Sequence, residues 1–231
     1  MMERKNVVDW HSSIAYDFDK KYVHNKAFIE RFAVWTKIID KYSNSQNHVL
    51  DIGCGSGILS FYLAERNENV VGIDGSQEMV EICETKKQKM NINNVIFLHH
   101  DIMKLEEILN TKADIIVCSS VLEYLDDLSS TLRLFSSFLK DKGVLILSMP
   151  NKSSLYRKLE PVAFKLFGYP RYYKYIKKTY TLKEASAELS TCGLSVLESA
   201  YYARTPIVSR VLRKIGLNKY SDNLFIIVAQ L

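Results

Sequence analysis

Between residues 48 and 149 the chain alternates short continuous apolar runs with stretches whose apolar residues recur every three or four positions. The runs are Val49 to Ile52, Val70 to Asp74, Val95 to His99, Ala113 to Cys118 and Val144 to Ser148. Runs of that length and continuity fit strands covered on both faces. Between them, Met79, Ile82, Cys83 and Met90 mark the buried side of one helix, and Leu128, Leu132, Phe135 and Leu139 that of another. Ser76 stands where the first of these needs an N-cap, with Glu78 in its first turn. Strand–helix alternation of this kind predicts an α/β fold, a parallel sheet with helices on both faces.

The flanks follow other rhythms. Over the first 45 residues the pattern is helical, and Phe28, Phe32, Trp35, Ile39 and Tyr42 form one apolar face that reads as core packing. Residues 151–180 break the alternation and mix Lys and Arg with aromatics, most densely at Arg171-Tyr-Tyr-Lys-Tyr-Ile-Lys-Lys-Thr-Tyr180. The rhythm resumes at Thr181-Leu-Lys-Glu184, a capping-box pattern, and that helix stops near Gly193. A strand from Leu194 to Tyr202, a second basic segment at 204–219 and a last strand from Leu224 to Val228 complete the chain. With no internal repeat, linker or low-complexity segment, residues 1–231 read as a single domain.

Composition narrows the class without naming a chemistry. Of the 231 residues, 47% are hydrophobic and 25% charged, as in a soluble globular protein. Met1 to Trp10 is polar, unlike a signal peptide, and no apolar run approaches the roughly 20 residues that span a bilayer. Cys54, Cys83, Cys118 and Cys192 are scattered in apolar stretches without metal-ligand or redox spacing, and read as reduced core thiols of a cytoplasmic protein. Net charge is +5, but it is uneven. Residues 151–180 and 204–219 together hold thirteen Lys or Arg and one acid, Glu160, while the remainder holds 18 basic and 25 acidic residues. An acidic body with two basic segments suggests an anionic partner at one place.

The chemistry centres on Asp51-Ile-Gly53-Cys54-Gly55-Ser-Gly57, where the first strand turns into a helix. Three glycines remove every Cβ from the turn, so the backbone can bend sharply and a ligand can approach it closely. Asp74 closes the next strand, and its carboxylate faces the same crevice, where it can accept two ribose hydroxyls. A dinucleotide turn would read G-x-G-x-x-G. Here the spacing is G-x-G-x-G, and an acid two residues ahead of it suits a cationic amino group better than a pyrophosphate.

These residues resemble the signature of the class I S-adenosylmethionine (SAM)-dependent methyltransferases, and the likeness extends over roughly 180 residues of strand and helix pattern. The resemblance implies a Rossmann-like seven-stranded, mostly parallel sheet with the last strand antiparallel. It also implies SAM as cofactor over the strand C-termini, an N-terminal helical lid at 1–45 and a basic insertion after the fifth strand. The implied cofactor contacts are Asp51, Gly53, Cys54, Gly55, Gly57, Asp74, Gly75 and Ser119, with Asp101 on the adenine amino group and Ile102 against the ring. In the lid, Tyr16 and Tyr22 would close over SAM, although by residue type alone they are equally packing aromatics. Within the family, Leu-Glu-aromatic after the fourth strand and Pro-Asn after the fifth look like the group holding ubiquinone-biosynthesis O-methyltransferases. That group shows Glu-x-x-Glu-His where this chain has Ser120-Val-Leu-Glu123-Tyr124, so no metal site is expected. His99 and His100 do not supply one, since neighbours on a strand point to opposite faces.

Methyl transfer to an amine needs only an unprotonated nitrogen, whereas a hydroxyl usually needs a base. Tyr124 is expected to line the acceptor site and His11 is the candidate base. The expected activity is methylation of a small molecule, on oxygen, with an anionic acceptor that carries phosphate or is linked to a lipid or sugar. The two basic segments would cover it and could meet an anionic membrane surface. N-methylation of a small amine is one alternative. An RNA-directed methyltransferase or RNA-binding protein using residues 171–180 is another. Against nucleic acid, no RNA-binding module is attached, and Ser119-Ser-Val-Leu is not the Asn/Asp-Pro-Pro-aromatic motif of nucleic-acid amino methyltransferases. A non-catalytic partner that keeps the fold would be expected to lose Asp51, Gly55 or Asp74, and all three are present.

Overall fold

Among the described residues, seven strands make one sheet: β1 (His48–Ile52), β2 (Asn69–Asp74), β3 (Val95–His99), β4 (Ala113–Ser119), β5 (Leu139–Pro150), β6 (Ser195–Arg204) and β7 (Asp222–Gln230). The computed structural model describes residues 2–204, 212 and 214–231. Spatial order is β3-β2-β1-β4-β5-β7-β6. β1 to β5 pair in parallel, and β7 runs antiparallel to both β5 and β6, so six strands share one direction. The order reverses between β1 and β4, which opens a crevice above the C-terminal ends of those two strands.

Alternate residues of each strand feed opposite faces, which is why the runs are apolar throughout. Val49, Ile115, Ile146 and Val228 face a layer holding α3 (Lys26–Tyr42), α4 (Ile58–Ala64) and α5 (Gln77–Met90). Leu50, Ile116, Leu147 and Ile227 face α6 (Leu128–Ser137) and α8 (Leu182–Thr191). The helix ends follow their predicted signals. Ser76 Oγ accepts from Met79 N, and Thr181 and Glu184 close a reciprocal capping box. Asn25 caps α3, whose Trp35 Nε1 donates to the Tyr202 hydroxyl at 3.3 Å. Lys41 and Tyr42 both reach Glu198 on β6.

Two elements depart from the pattern read in the sequence. Leu139 belongs to β5 rather than to the helix stripe, because Ala113 N donates to Phe138 O at 2.8 Å and starts the pairing early. β6 is an edge strand with most of its residues outside the core, so its apolar run was no sign of double-sided burial.

The N-terminal stretch forms α1 (Met2–Ser13), α2 (Ala15–His24) and α3. α1 lies across the crevice: Ser12 Oγ is 2.8 Å from Ser76 Oγ, and a side chain at Gly75 would come within 3.3 Å of Val8. The insertion after β5 is ordered as α7 (Leu155–Phe167) and a 3₁₀ turn at Arg171–Tyr175, and returns to the sheet where Asn151 bridges Tyr180. α9 (Asn218–Ser221) packs against α7. Of the second basic segment, residues 205–211 and 213 lie outside the described residues.

Gly57 has φ +78°, and a Cβ there would stand 2.9 Å from Cys83 Sγ and 3.0 Å from the Phe61 ring. Left-handed backbone and overpacking each cost about 1–3 kcal/mol. Gly57→Ala is therefore expected to lower stability by roughly 2–6 kcal/mol, read as an earlier denaturant midpoint. An unchanged midpoint would contradict this account of the turn.

Candidate active site

The crevice is a cavity of about 1700 Å³, enclosed by the ends of β1, β2 and β4, by α1 and by the insertion after β5. Single-ligand pockets are usually about 300–1,000 Å³, so this volume has room for two molecules. One end is acidic and the other is basic.

At the acidic end, Gly53 N and Cys54 N both donate to Ile73 O, at 2.7 and 3.1 Å, and so the glycine turn sits on the end of β2. Asp74 binds the turn from the other side: Oδ2 accepts from Gly55 N at 2.8 Å and Oδ1 from Ser76 N at 2.9 Å. Burial raises its pKa against those bonds. Asp51 is only 1% exposed. Its Oδ2 accepts from Ser60 Oγ at 2.6 Å, while its buried Oδ1 has no partner among the described residues. Burial pushes this carboxyl up to about 7, with the Ser60 bond opposing the shift and the Asp74 charge adding to it. A buried acceptor without a donor, on a carboxylate that lines the cavity, is the complement of a ligand ammonium group. Cys83 Sγ donates to Gly55 O at 3.2 Å, and Cys54 lies beside it. Asp101 and Ile102 stand on the rim, with Asp101 Oδ1 accepting from Met103 N.

The basic end was not legible in the sequence. Arg31 points in from α3 and donates from Nη2 to Ser120 Oγ at 3.0 Å, and its buried Nε has no described partner. Arg157 points in from α7, with Nη1 2.9 Å from both Glu160 carboxylate oxygens and 3.2 Å from the Tyr172 hydroxyl. The Tyr172 hydroxyl also donates to Glu160. Glu123 faces the cavity, is 3% exposed, and leaves Oε2 unpartnered among the described residues. Burial pushes it up to about 7, opposed by its own backbone N–H and then by Arg157 and Arg31. Its neighbour Tyr124 has a phenol held far above the ordinary tyrosine range by burial and by the Glu123 charge. The His11 ring stands edge-on to Tyr124 at 5.4 Å, so α1 and the loop after β4 do bring these two predicted residues together.

The cavity is also lined by Tyr22, Gly53, Cys54, Gly55, Gly75 and Ser119. Tyr16 and Gly57 are not among the residues that line it. Tyr16 is 70% exposed and is not part of the wall that Tyr22 helps to form. Six residues apart on one helix, the two side chains lie about 120° apart and cannot share a face. Gly57 is behind the turn, against Cys83 and Phe61, so helix packing and not ligand approach requires it. The aromatics of 171–180 do not form an open stacking platform. Tyr172 is tied to Glu160, Tyr173 packs on Phe164 at 5.4 Å and Tyr175 on Trp10 at 5.5 Å, while Lys177 pairs with Asp126 at 2.6 Å. Among the described residues no cluster of three His, Cys, Asp or Glu has metal-holding geometry, and no helix is long and apolar enough to cross a membrane.

A family model described as a methyltransferase domain matches residues 43–188. The ubiquinone biosynthesis O-methyltransferase of Haemophilus ducreyi is 35% identical over 112 residues, which cover 46% of each chain. The matched segment thus spans about half the length of the curated relatives. In fold, the chain resembles the crystal structure of magnesium protoporphyrin IX methyltransferase from Synechocystis with bound S-adenosylhomocysteine, at TM-score 0.71, 21% identity and 99% coverage of both chains. An N-methyltransferase from Bradyrhizobium japonicum, also with bound S-adenosylhomocysteine, aligns at TM-score 0.65 and 14% identity over 91% of this chain and 90% of that one. Likeness at these identities is one of architecture.

Asp51 and Glu123, the two carboxyls raised to about 7, fix a pH dependence to which the raised Asp74 adds in the same direction. Each binds its proton more tightly folded than unfolded, so the folded state holds more protons between the ordinary carboxylate range and about 7. Their contribution to stability is complete below that range, declines as pH rises to about 7 and is flat above. The ligand-free protein is expected to melt lower at pH 8 than at pH 5, and Asp51→Asn is expected to reduce the difference. A melting temperature that rises from pH 5 to 8 would overturn the assignment.

Proposed function

The chain belongs to the class I SAM-dependent methyltransferases, and from that premise we propose that it methylates an oxygen of a small anionic acceptor. The observation that carries this reading is the basic end of the cavity, where Arg31 and Arg157 converge with Glu123. The cofactor fits the acidic end: Asp51 would take its amino group, Asp74 its ribose hydroxyls, and Asp101 with Ile102 its adenine. The Gly53–Gly55 backbone, Gly75, Ser119 and Tyr22 would enclose it. When bound there it supplies an electrophilic methyl group.

The chain's own residues supply the rest. Arg31 and Arg157 hold the acceptor's anion, and a guanidinium does so through a fork of donors that also fixes orientation. Orientation of this kind is worth on the order of 7–11 kcal/mol in favourable reactions. Glu123 takes the hydroxyl proton. Its pKa of about 7 suits a base that must be free yet still bind a proton. Tyr124 keeps its own proton and walls the acceptor, with His11 against it. His11 is the second candidate base, on the strength of that contact. An amine acceptor would leave the buried Glu123 without a task, and the enclosed aromatics of 171–180 give little support to the RNA reading. A metal is not required in this arrangement, since the place of the missing acid is held by Ser120, already bonded to the Arg31 cation. Contact with an anionic membrane would bring a lipid-linked acceptor to the same mouth.

Hydroxyl compounds offered as carboxylates or phosphates and as their neutral esters, with methyl-labelled SAM, test the reading. Label should pass to the anionic members. Arg31→Gln should raise their KM roughly 10–100-fold. Glu123→Gln should lower kcat roughly 10²–10⁴-fold and abolish its rise as pH passes about 7. Equal transfer to neutral esters sinks the anionic reading.

Turnover is also expected to be unchanged in a chelator. Activity lost in chelator and restored by magnesium would count against the metal-free mechanism.

A further inference from the structure

Helix α7 has two unlike faces. The inner one carries Arg157, Glu160 and Phe164, engaged with Tyr172 and Tyr173. The outer one carries Leu155, Leu159, Val162 and Leu166, spaced four, three and four residues apart, which makes one stripe along the helix. Leu159 and Leu166 are 64% and 66% exposed, and Phe167 at the helix end is 79% exposed. Tyr156 and Tyr169 extend the patch. Single exposed apolar residues are ordinary, whereas a contiguous group of this size marks a contact surface.

The charge around the patch identifies the partner. Lys158 and Lys165 are exposed along one edge of the stripe, and Arg171 and Lys174 follow it. The only acid between 151 and 180 is Glu160, which is buried against Arg157. α9 lies alongside, with Lys158 Nζ 5.9 Å from the Tyr220 ring, and next to it Lys214 and Ile215 are exposed. The result is an apolar stripe edged on one side by cations and free of exposed acid over 151–180. A second copy of this surface would set lysine against lysine. Lipid phosphates would meet the cations while the acyl boundary takes the leucines, and lysines suit that boundary because their stems are apolar and only their tips are charged.

We propose that α7 is an interfacial helix that seats the protein on an anionic bilayer. The same segment supplies Arg157, Tyr169 and Arg171 to the cavity wall. Seating α7 therefore holds the acceptor mouth against the membrane, and an acceptor with a lipid tail reaches the site without its tail crossing water.

Sedimentation of the full chain with phosphatidylglycerol-containing vesicles and with pure phosphatidylcholine vesicles tests this. Binding is expected on the anionic vesicles only, weakening as salt rises. L159D/F167D should lose at least about tenfold in bound fraction. K158Q/K165Q, which keeps the stripe, should lose roughly 30-fold, as two surface cations imply. All four side chains are exposed, and calorimetric SAM affinity equal to the parent's shows that each variant is folded. Vesicle binding by the parent supports the proposal whatever its acceptor proves to be. A parent that ignores both vesicle types, variants that bind as the parent does, or a dimer that L159D/F167D dissolves in the absence of lipid binding would each overturn it.

Discussion

The carboxylate of Asp74 is the joint on which the site depends. One oxygen takes the amide of Gly55 and the other that of Ser76, so the turns after β1 and β2 share one acceptor group. Buried amides need partners, and here two loops from different strands find theirs on one side chain. The order then propagates. Ser76 caps α5 and meets Ser12, and that contact sets α1 across the crevice. His11 reaches Tyr124 only because α1 lies there. A cluster of distant residues is positioned, in the end, by a carboxylate that would be better solvated in water.

The two ends of the cavity are electrostatically opposed. Asp51, Asp74 and Asp101 gather at one, and Arg31 and Arg157 at the other. In a low-dielectric enclosure such charges act more strongly than at a surface. An anion entering at the basic end and a cation at the acidic end would each find complementary charge. Glu123 lies at the basic end, and its protonation is set by the contest between burial, which favours the acid, and the two guanidiniums, which favour the base.

The parts of this arrangement that were legible in the sequence are those governed by backbone geometry or double-sided burial. β1, β2 and β4 announced themselves as continuous apolar runs because both sheet faces are covered there, while the edge strand β3 keeps an apolar run with Ile96 exposed. The glycine turn was legible because few residues other than glycine adopt its left-handed backbone. The basic end was hidden. Arg31 sits on a helix identified by its apolar stripe, and a stripe says nothing about which polar neighbour turns inward. Arg157, Glu160 and Tyr172 meet through an insertion with no periodicity to read, although a lone acid among eight cations was a signal that Glu160 had a buried partner. That Tyr16 stands exposed was not legible, because the rotation of a short helix about its axis is decided by tertiary contacts.

Cys54 lines the same cavity as the methyl donor would. Its thiol is held well above the usual range, first by the hydrogen bond with Cys83, then by burial and by the charges of Asp74 and Asp51. A thiolate is a strong nucleophile toward alkyl electrophiles, and a thiol is a weak one. The hydrogen bond with Cys83 and burial, with the two acids adding to them, thus keep this sulfur protonated. A pocket that would hold an alkylating agent against a cysteine keeps that cysteine in its less reactive form chiefly through the neighbouring thiol and burial.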